Sequence, residues 1–372
     1  MKVLYDHQCF VQQQFGGVSR YHYQLIKELN KLQDVEATLS LKYSNNFYIN
    51  EDNGFDVKKF FPNYKFYFKR TILDYINRFY TNRDLESGDY DIFHPTYFNP
   101  YFLKHLNNKP FVLTVYDSIH EKYPEIINSI DKTLENKKLL LSKAGLILAI
   151  SNSTKNDLIS LYNIPAEKIE VVYLAASINK SLASSNSKLS LPEKYILFVG
   201  NRDFYKNFYN FILAVESLLK EHKDLLLICA GGGIFTNEEK KLFHSKELEN
   251  KIMHKGADDV MLANLYSNAL AFIFPTLYEG FGIPALEAMN CDCPVIMSNT
   301  SSLPEVGGEA AIYFDPNNID DMREKIKLVI INKDLRNEII LKAKTQRQKF
   351  SFEKTAIKTL EVYKRLLTNR EK

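Results

Sequence analysis

Short apolar runs alternate with longer stretches of helical period along most of the chain. In the first half the runs are KVLYD (2–6), DIFHP (91–95), FVLTVYD (111–117), LILAIS (146–151) and IEVVYLA (169–175). They carry Val, Ile and Leu without polar alternation, so they read as strands buried on both faces, the signature of a parallel sheet covered by helices. Residues 18–32 and 153–162 place apolar side chains three and four apart and predict helices. Ser153 precedes a polar first turn and is the expected N-cap of the second of these.

The rhythm breaks at 177–194, a Ser/Asn/Lys-rich stretch with the composition of a linker. It then restarts with YILFVGN (195–201), LLLICAGGG (225–233), KIMHKG (251–256), LAFIFPT (270–276), CPVIMSN (293–299) and AAIYFD (310–315), and the tail from about 318 is helical. Two doubly wound, Rossmann-like α/β domains follow. Their expected limits are 1–185, with 351–372 returning to the first domain, and 190–350. Ligands of such sheets lie beyond the carboxyl ends of the strands, so the expected site is a cleft that the two domains face.

Composition narrows the partners. The 372 residues carry 45% hydrophobic and 25% charged side chains, with a net charge of only +3, which gives no argument for a nucleic-acid partner. Tyr (23) and Phe (25) are abundant and Trp is absent, an aromatic load that calls for sizeable cores or adhesive surfaces. Cys9, Cys229, Cys291 and Cys293 have neither disulfide nor zinc spacing and read as buried thiols. The N-terminal stretch contains Asp6 and His7 and does not read as a signal peptide. Lys143 interrupts the most apolar segment well short of the roughly 20 residues of a membrane span. The expected location is the cytoplasm, at the inner face of the plasma membrane if any surface touches lipid.

The most informative string is YEGFGIPALEA (278–288). Pro284 suits the first helical position, so a short helix is expected to open just after the Gly280–Gly282 turn. Glu279 then lies in the loop and Glu287 in or just past the first helical turn. Two carboxylates flank a helix N-terminus whose free N–H groups favour an anionic or polyhydroxyl ligand. A turn with capping carboxylates would account for either glutamate alone.

Three further strings support that reading. VGNRDFYKN (199–207) places Gly200, Arg202 and Lys206 at a strand's carboxyl end, where Arg and Lys can clamp a phosphate or merely form a solvated basic turn. Gly16 and Gly17 lie between the first strand and a helix, where backbone amides can meet phosphate. Gly231 opens the glycine run that ends the strand LLLICA, a ligand loop or a flexible connection. No G-x-G-x-x-G fingerprint follows a strand, which argues against a nicotinamide dehydrogenase.

Together with HPTYFNPYFL, TVYDSIHEKYP, LAISNSTKNDL and FSFEKTA, these strings resemble family four (group 1) glycosyltransferases of bacteria, including O-antigen and capsule mannosyltransferases. The resemblance implies the GT-B architecture, with the last helix crossing back to the first domain. It implies a nucleotide-sugar donor, transfer with retention at the anomeric carbon, and an E-x7-E motif in which Glu287 holds the ribose and Glu279 the donor sugar. Phe281, Gly282 and Ile283 would line that site through their backbone. Arg202 and Lys206 would bind the diphosphate, and Gly17 would lie beneath it. Similar sequences often use GDP-mannose, which makes mannosyl transfer the narrow expectation.

One position departs from the family. Many relatives have T-V-H-D where this chain has Thr114-Val115-Tyr116-Asp117. Tyr116, with an ordinary pKa near 10, is a poor proton acceptor at neutral pH. It can still hydrogen-bond, so Tyr116 stays a candidate for contact with the donor sugar, with His94, His120 and Asp117 beside it. No D-x-D motif follows a strand, since Asp258-Asp259 and Asp320-Asp321 read as helix starts, so no obligatory metal or other cofactor is expected. Residues 57–80 mix Lys and Arg with many aromatics. They suit either an anionic membrane, and hence a lipid-linked or glycan acceptor, or a two-helix flap whose aromatics pack inward. A phosphorylase, an epimerase and a nucleotide-binding protein without catalysis are the competing readings.

Overall fold

A computed structural model describes residues 1–52, 54–126, 132–183, 191–256 and 258–371. The chain divides into two compact units, Met1–Leu174 with Ser351–Lys372, and Ala175–Phe350. The middle of the stretch read as a linker, 184–190, lies outside the described residues. Its beginning packs with the second unit, where Ile178 is buried in the core and Ala183 leans on it.

Among the described residues the first unit has six strands: β1 (Lys2–Tyr5), β2 (Glu36–Leu39), β3 (Ile92–His94), β4 (Val112–Val115), β5 (Leu146–Ala149) and β6 (Ile169–Val171). They form two parallel sheets, β2-β1-β3 and β4-β5-β6, linked by a parallel bridge between Phe93 and Phe111. β4 and β5 are buried at every position, which is why they read as unbroken apolar runs. Strand β2 went unread in the sequence because Glu36-Ala37-Thr38-Leu39 is an edge strand buried only at Ala37. The N-cap of helix Asn152–Tyr162 is Ser151, whose hydroxyl accepts from the Thr154 amide, and not Ser153, which lies inside the first turn.

The last helix, Phe352–Glu371, packs on helix Gly17–Leu29 and on β5. Leu366 lies so close to Gly145 that a Cβ there would meet its Cδ1 at 2.6 Å. Arg365 pairs with Glu170, and the Thr355 hydroxyl donates to the Tyr173 carbonyl at 2.8 Å.

The second unit is one parallel sheet in the order β12-β11-β10-β7-β8-β9. Its strands are β7 (Lys194–Val199), β8 (Leu225–Ala230), β9 (Ile252–Lys255), β10 (Ala271–Phe274), β11 (Val295–Ser298) and β12 (Ala311–Phe314). Successive side chains alternate between two cores. Tyr195, Leu197, Phe272 and Val295 join one, while Ile196, Phe198, Ile273 and Ile296 join the other. All four cysteines are buried free thiols. Asp258 caps helix Asp259–Asn268, and Asp320 and Asp321 open helix Ile319–Ile331, as the sequence predicts.

Residues 57–80 do not form the two-helix flap with inward aromatics. They supply a loop and the first part of one helix, Lys69–Ser87, in place of two helices. Their aromatics also point outward: Phe61, Tyr64, Phe66, Tyr67, Phe68, Tyr75 and Phe79 are exposed, Tyr67 to 93%. The helix buries Leu73, Asn77, Thr81 and Leu85, spaced by four, and turns Ile72, Tyr75 and Phe79 to the opposite side. It therefore buries a mixed stripe, two leucines with Asn77 and Thr81, against the protein and carries an apolar stripe facing away.

Candidate active site

In the second unit the candidate residues gather at the carboxyl ends of β7, β8 and β10. Helix Ile283–Asn290 opens at Gly282, whose φ of 109° is open to glycine and strained for other residues. A Cβ there would also meet Leu303 at 2.8 Å. Pro284 is the second helical residue, one later than expected, because Ile283 already has helical geometry. The cap residue is a glycine and offers the first turn no side-chain oxygen of its own.

Glu279 sits before this helix, and Ser301 and Ser302 hold its loop. The Glu279 amide donates to Ser301 Oγ at 3.0 Å, while Ser302 Oγ donates to the carbonyls of Glu279 and Phe281 at 2.9 and 2.8 Å. Phe281 is buried, edge-on to Phe350. The Glu279 carboxylate meets the Lys206 ammonium at 2.6 Å, with both side chains only 12–13% exposed. Burial pulls the Lys206 pKa down, but the Glu279 charge and hydrogen bond, helped by Tyr205 and Asp203, leave it raised above the ordinary lysine value. Glu287 is buried inside the helix and accepts from the Tyr266 hydroxyl at 3.3 Å. That proximity, after burial itself, raises the Tyr266 pKa.

Arg202 has a different set of partners. Gly231, Gly232 and Gly233 have φ of 80°, 66° and 73°, three left-handed residues in succession. That turn brings the carbonyls of Gly231, Gly232, Gly233 and Ile234 within 3.0–3.3 Å of the guanidinium nitrogens. Nε donates to Glu239 at 2.5 Å. Glu239 also completes a capping box with Thr236. Of the five guanidinium N–H groups, this leaves few for a phosphate. Gly200 turns the chain here with φ 127° and donates its amide to Ala230 at 2.9 Å. Arg202 and Lys206 thus have separate carboxylate partners.

In the first unit, Gly16 caps and Gly17 opens helix Gly17–Leu29. Gly16 is extended, and what a side chain would disturb is Gln13, whose Oε1 lies 2.3 Å from an added Cβ and accepts from the Ser19 amide at 3.1 Å.

The expected sugar-contacting residues fare differently. His94 is fully buried, hydrogen-bonded through Nδ1 to Tyr363 at 2.5 Å and through Nε2 to Thr114 at 2.8 Å. Tyr116 is also buried, its hydroxyl 2.5 Å from His22 Nε2. Burial pushes the His94 pKa down to about 3 and the Tyr116 pKa well above 10. Both candidates are therefore corrected to interior residues of a network that also contains Tyr5, whose hydroxyl meets that of Tyr363 at 2.6 Å. The Asp117 carboxylate accepts from the Ile119 amide at 3.1 Å, and its carbonyl accepts from Lys137. His120 lies partly exposed on the short helix Ile119–Lys122.

Sequence reasoning missed Glu239, Tyr266, His22, Ser301 and Ser302. Only the capping-box spacing Thr236–Glu239 could have flagged one of them.

The family models for "Glycosyltransferase Family 4" and "Glycosyl transferases group 1" match residues 15–179 and 180–346. The chain belongs to the group 1, family four glycosyltransferases. It is similar to O-antigen chain mannosyltransferase B of Escherichia coli, 28% identical over 75% of each chain. It is also similar to the N-acetylgalactosamine-N,N'-diacetylbacillosaminyl-diphospho-undecaprenol 4-alpha-N-acetylgalactosaminyltransferase of Campylobacter jejuni, 28% identical over 59% of this chain and 60% of the other. Sucrose-phosphate synthase from Thermosynechococcus elongatus shares the fold, with a TM-score of 0.76 and 18% identity over 99% of this chain and 100% of that one. The glycosyltransferase fold is thus GT-B.

Proposed function

We propose that this glycosyltransferase moves a hexose, mannose from GDP-mannose, to a lipid-linked or glycan acceptor in the synthesis of a bacterial surface polysaccharide. The observation that carries the donor half is the Lys206–Glu279 pair placed just before the open N-terminus of helix Ile283–Asn290, with Glu287 buried inside it. Lys206 and the helix N-terminus favour diphosphate, while Glu279 and Glu287 accept from sugar hydroxyls. The similarity to a mannosyltransferase supports the choice of sugar.

In this reading the bond between the sugar C1 and the diphosphate oxygen breaks, and C1 bonds to the acceptor oxygen on the same face. The acceptor's proton passes to the departing phosphate oxygen. Charge grows on the diphosphate, so cationic groups and backbone N–H groups aimed at it lower the barrier. No protein base is required, which fits a Tyr116 turned inward. Turnover is proposed to persist in EDTA.

The outward aromatics of 61–79, with exposed Lys58, Lys59, Lys65 and Arg70, support contact with an anionic membrane at its cytoplasmic face. Each basic residue near such a surface adds about 1 kcal/mol. No helix among the described residues is long and apolar enough to cross a membrane.

A thermal-shift panel of UDP, GDP, TDP, CDP and their sugars tests the donor. GDP and GDP-mannose are expected to raise the melting temperature, by about 2.7 kcal/mol of stabilisation at a hundredfold excess over Kd. Shifts with UDP compounds alone would overturn the mannose assignment.

A further inference from the structure

The first unit holds a cavity of about 710 Å³, a volume within the range of small-molecule sites. Pro110 and Phe111 in its wall lead into β4, and Gly145 leads into β5, so it lies at the amino ends of these strands. Ligands of such sheets ordinarily lie beyond the carboxyl ends, where Tyr116 and Asp117 follow β4. We propose that this cavity is a further binding site, separate from those of donor and acceptor, and that it takes a small soluble phosphate ester with an apolar body.

The charge of the wall is the first observation. Lys104, Lys109 and Lys143 line the cavity and no Asp or Glu does. The chain as a whole carries 48 basic and 45 acidic residues, so this wall does not sample its average surface. The neighbouring Glu86 carboxylate is taken by His105 Nδ1 at 2.7 Å. Lys109 is fixed, its Nζ donating to the Tyr90 carbonyl at 2.5 Å and lying 5.4 Å from the centre of the Tyr90 ring, with N–H groups to spare. Lys104 and Lys143 are exposed and bond to nothing among the described residues. Each is the last residue of a helix, Pro100–Lys104 and Thr133–Lys143, where a lysine offsets the helix dipole. That role accounts for each cation alone but not for two helix ends meeting at one cavity.

The second observation is a strained turn in the same wall. The Lys109 amide donates to the Leu106 carbonyl at 2.8 Å, and between them Asn107 and Asn108 have φ of 49° and 62°. Two successive left-handed residues without glycine are costly, and folds keep such strain mostly where a ligand is held.

The lining selects the ligand. Ammonium groups act as point charges that suit phosphate. Leu106, Phe111 and Leu366 are buried beneath them and form an apolar floor. No carboxylate is present to accept from sugar hydroxyls, unlike Glu279 and Glu287 of the second unit. The cavity also stands away from the outward aromatics. Asn107 donates to the carbonyl of Glu86, in the last turn of helix Lys69–Ser87, about 26 Å along the axis from its Lys69 end. The exposed loop aromatics, Phe61 to Phe68, precede that far end, so a soluble ester fits better than a bilayer lipid.

The test uses the full chain and 1-naphthyl phosphate, with inorganic phosphate and 1-naphthol as its two halves, in calorimetric titration. The ester is expected to bind at least about tenfold more tightly than either half. Lys104→Ala/Lys143→Ala should weaken it by about tenfold or more, and Lys104→Arg/Lys143→Arg should recover part of the loss. Both lysines are exposed, and an unchanged melting temperature reports that the variants are folded. Lys206→Ala should leave ester binding unchanged. The proposal is overturned if the parent shows no saturable binding, or if the double alanine variant binds like the parent. Inorganic phosphate that binds as tightly as the ester overturns it too, since the apolar floor would then play no part. Loss of binding in Lys206→Ala would place the ester at the donor site instead. Displacement of the ester by phosphatidic acid vesicles at equal phosphate would mark a lipid surface and likewise end the proposal.

Discussion

The Lys206 ammonium and the Glu279 carboxylate face each other at 2.6 Å, both side chains largely buried. In the proposed reaction the pair would supply one positive and one negative group where the diphosphate leaves the sugar. Lys206→Ala removes a cation aimed at the developing charge, and kcat should fall by about 10²–10³-fold. Steady-state turnover with saturating donor checks this. A fall in kcat below tenfold would mean that Lys206 serves only to hold Glu279.

Arg202 and Glu239 form the second such pair, with the guanidinium buried under four backbone carbonyls. Removing one member of a buried pair leaves the other unpaired, which typically costs about 3–5 kcal/mol. Glu239→Ala should therefore lower the stability of the second unit by an amount at the lower end of that range, since Glu239 is partly exposed. Urea denaturation monitored on both single variants and the double variant will show it. Additive losses would deny the coupling.

Glu287 is buried on the helix that opens at Gly282. A charged hydrogen bond contributes about 1.5–3 kcal/mol, so losing it should weaken nucleotide affinity by roughly 10–100-fold. Calorimetric titration of Glu287→Ala and Glu287→Gln with nucleoside diphosphate is the measurement. Parent-like affinity in both variants would remove Glu287 from the ribose site.

Tyr116 stands where many relatives have a histidine, yet its hydroxyl meets His22 in the interior. Tyr116→Phe should keep kcat within about threefold of the parent while losing about 1–3 kcal/mol of stability, because His22 Nε2 is left without its partner. A hundredfold loss of kcat with unchanged stability would restore a catalytic role.

His22 and His94 are both held neutral by burial, His94 with its pKa pushed down to about 3 and His22 well below the ordinary value. The unfolded chain takes up protons at these imidazoles below about pH 6.5 and the folded chain does not. Stability should therefore fall as pH drops, by up to about 1.4 kcal/mol per pH unit for each histidine. Denaturant midpoints from roughly pH 6.5 to 4.5 should show a shallower slope in His94→Gln than in the parent. Identical slopes would place the acid sensitivity elsewhere.

The sequence by itself determined the strands other than β2, the two α/β units and the loop–helix carrying Glu279 and Glu287. Those features are local: a doubly buried strand must be apolar throughout, and a Gly-Phe-Gly-Ile-Pro string can hardly do other than turn and start a helix. Tertiary structure alone decided which polar side chains face inward. His94 and Tyr116 look like site residues in one dimension, but a hydroxyl of the last helix, Tyr363, and an imidazole of an early one, His22, draw them into the core. The same holds for Arg202, whose partners are a glycine turn and a capping glutamate some thirty to forty residues away. The aromatics of 61–79 show the converse, since a helix that already buries one stripe has no protein left to cover a second. Side-chain direction depends on which distant groups arrive at the same place, and periodicity carries no record of that.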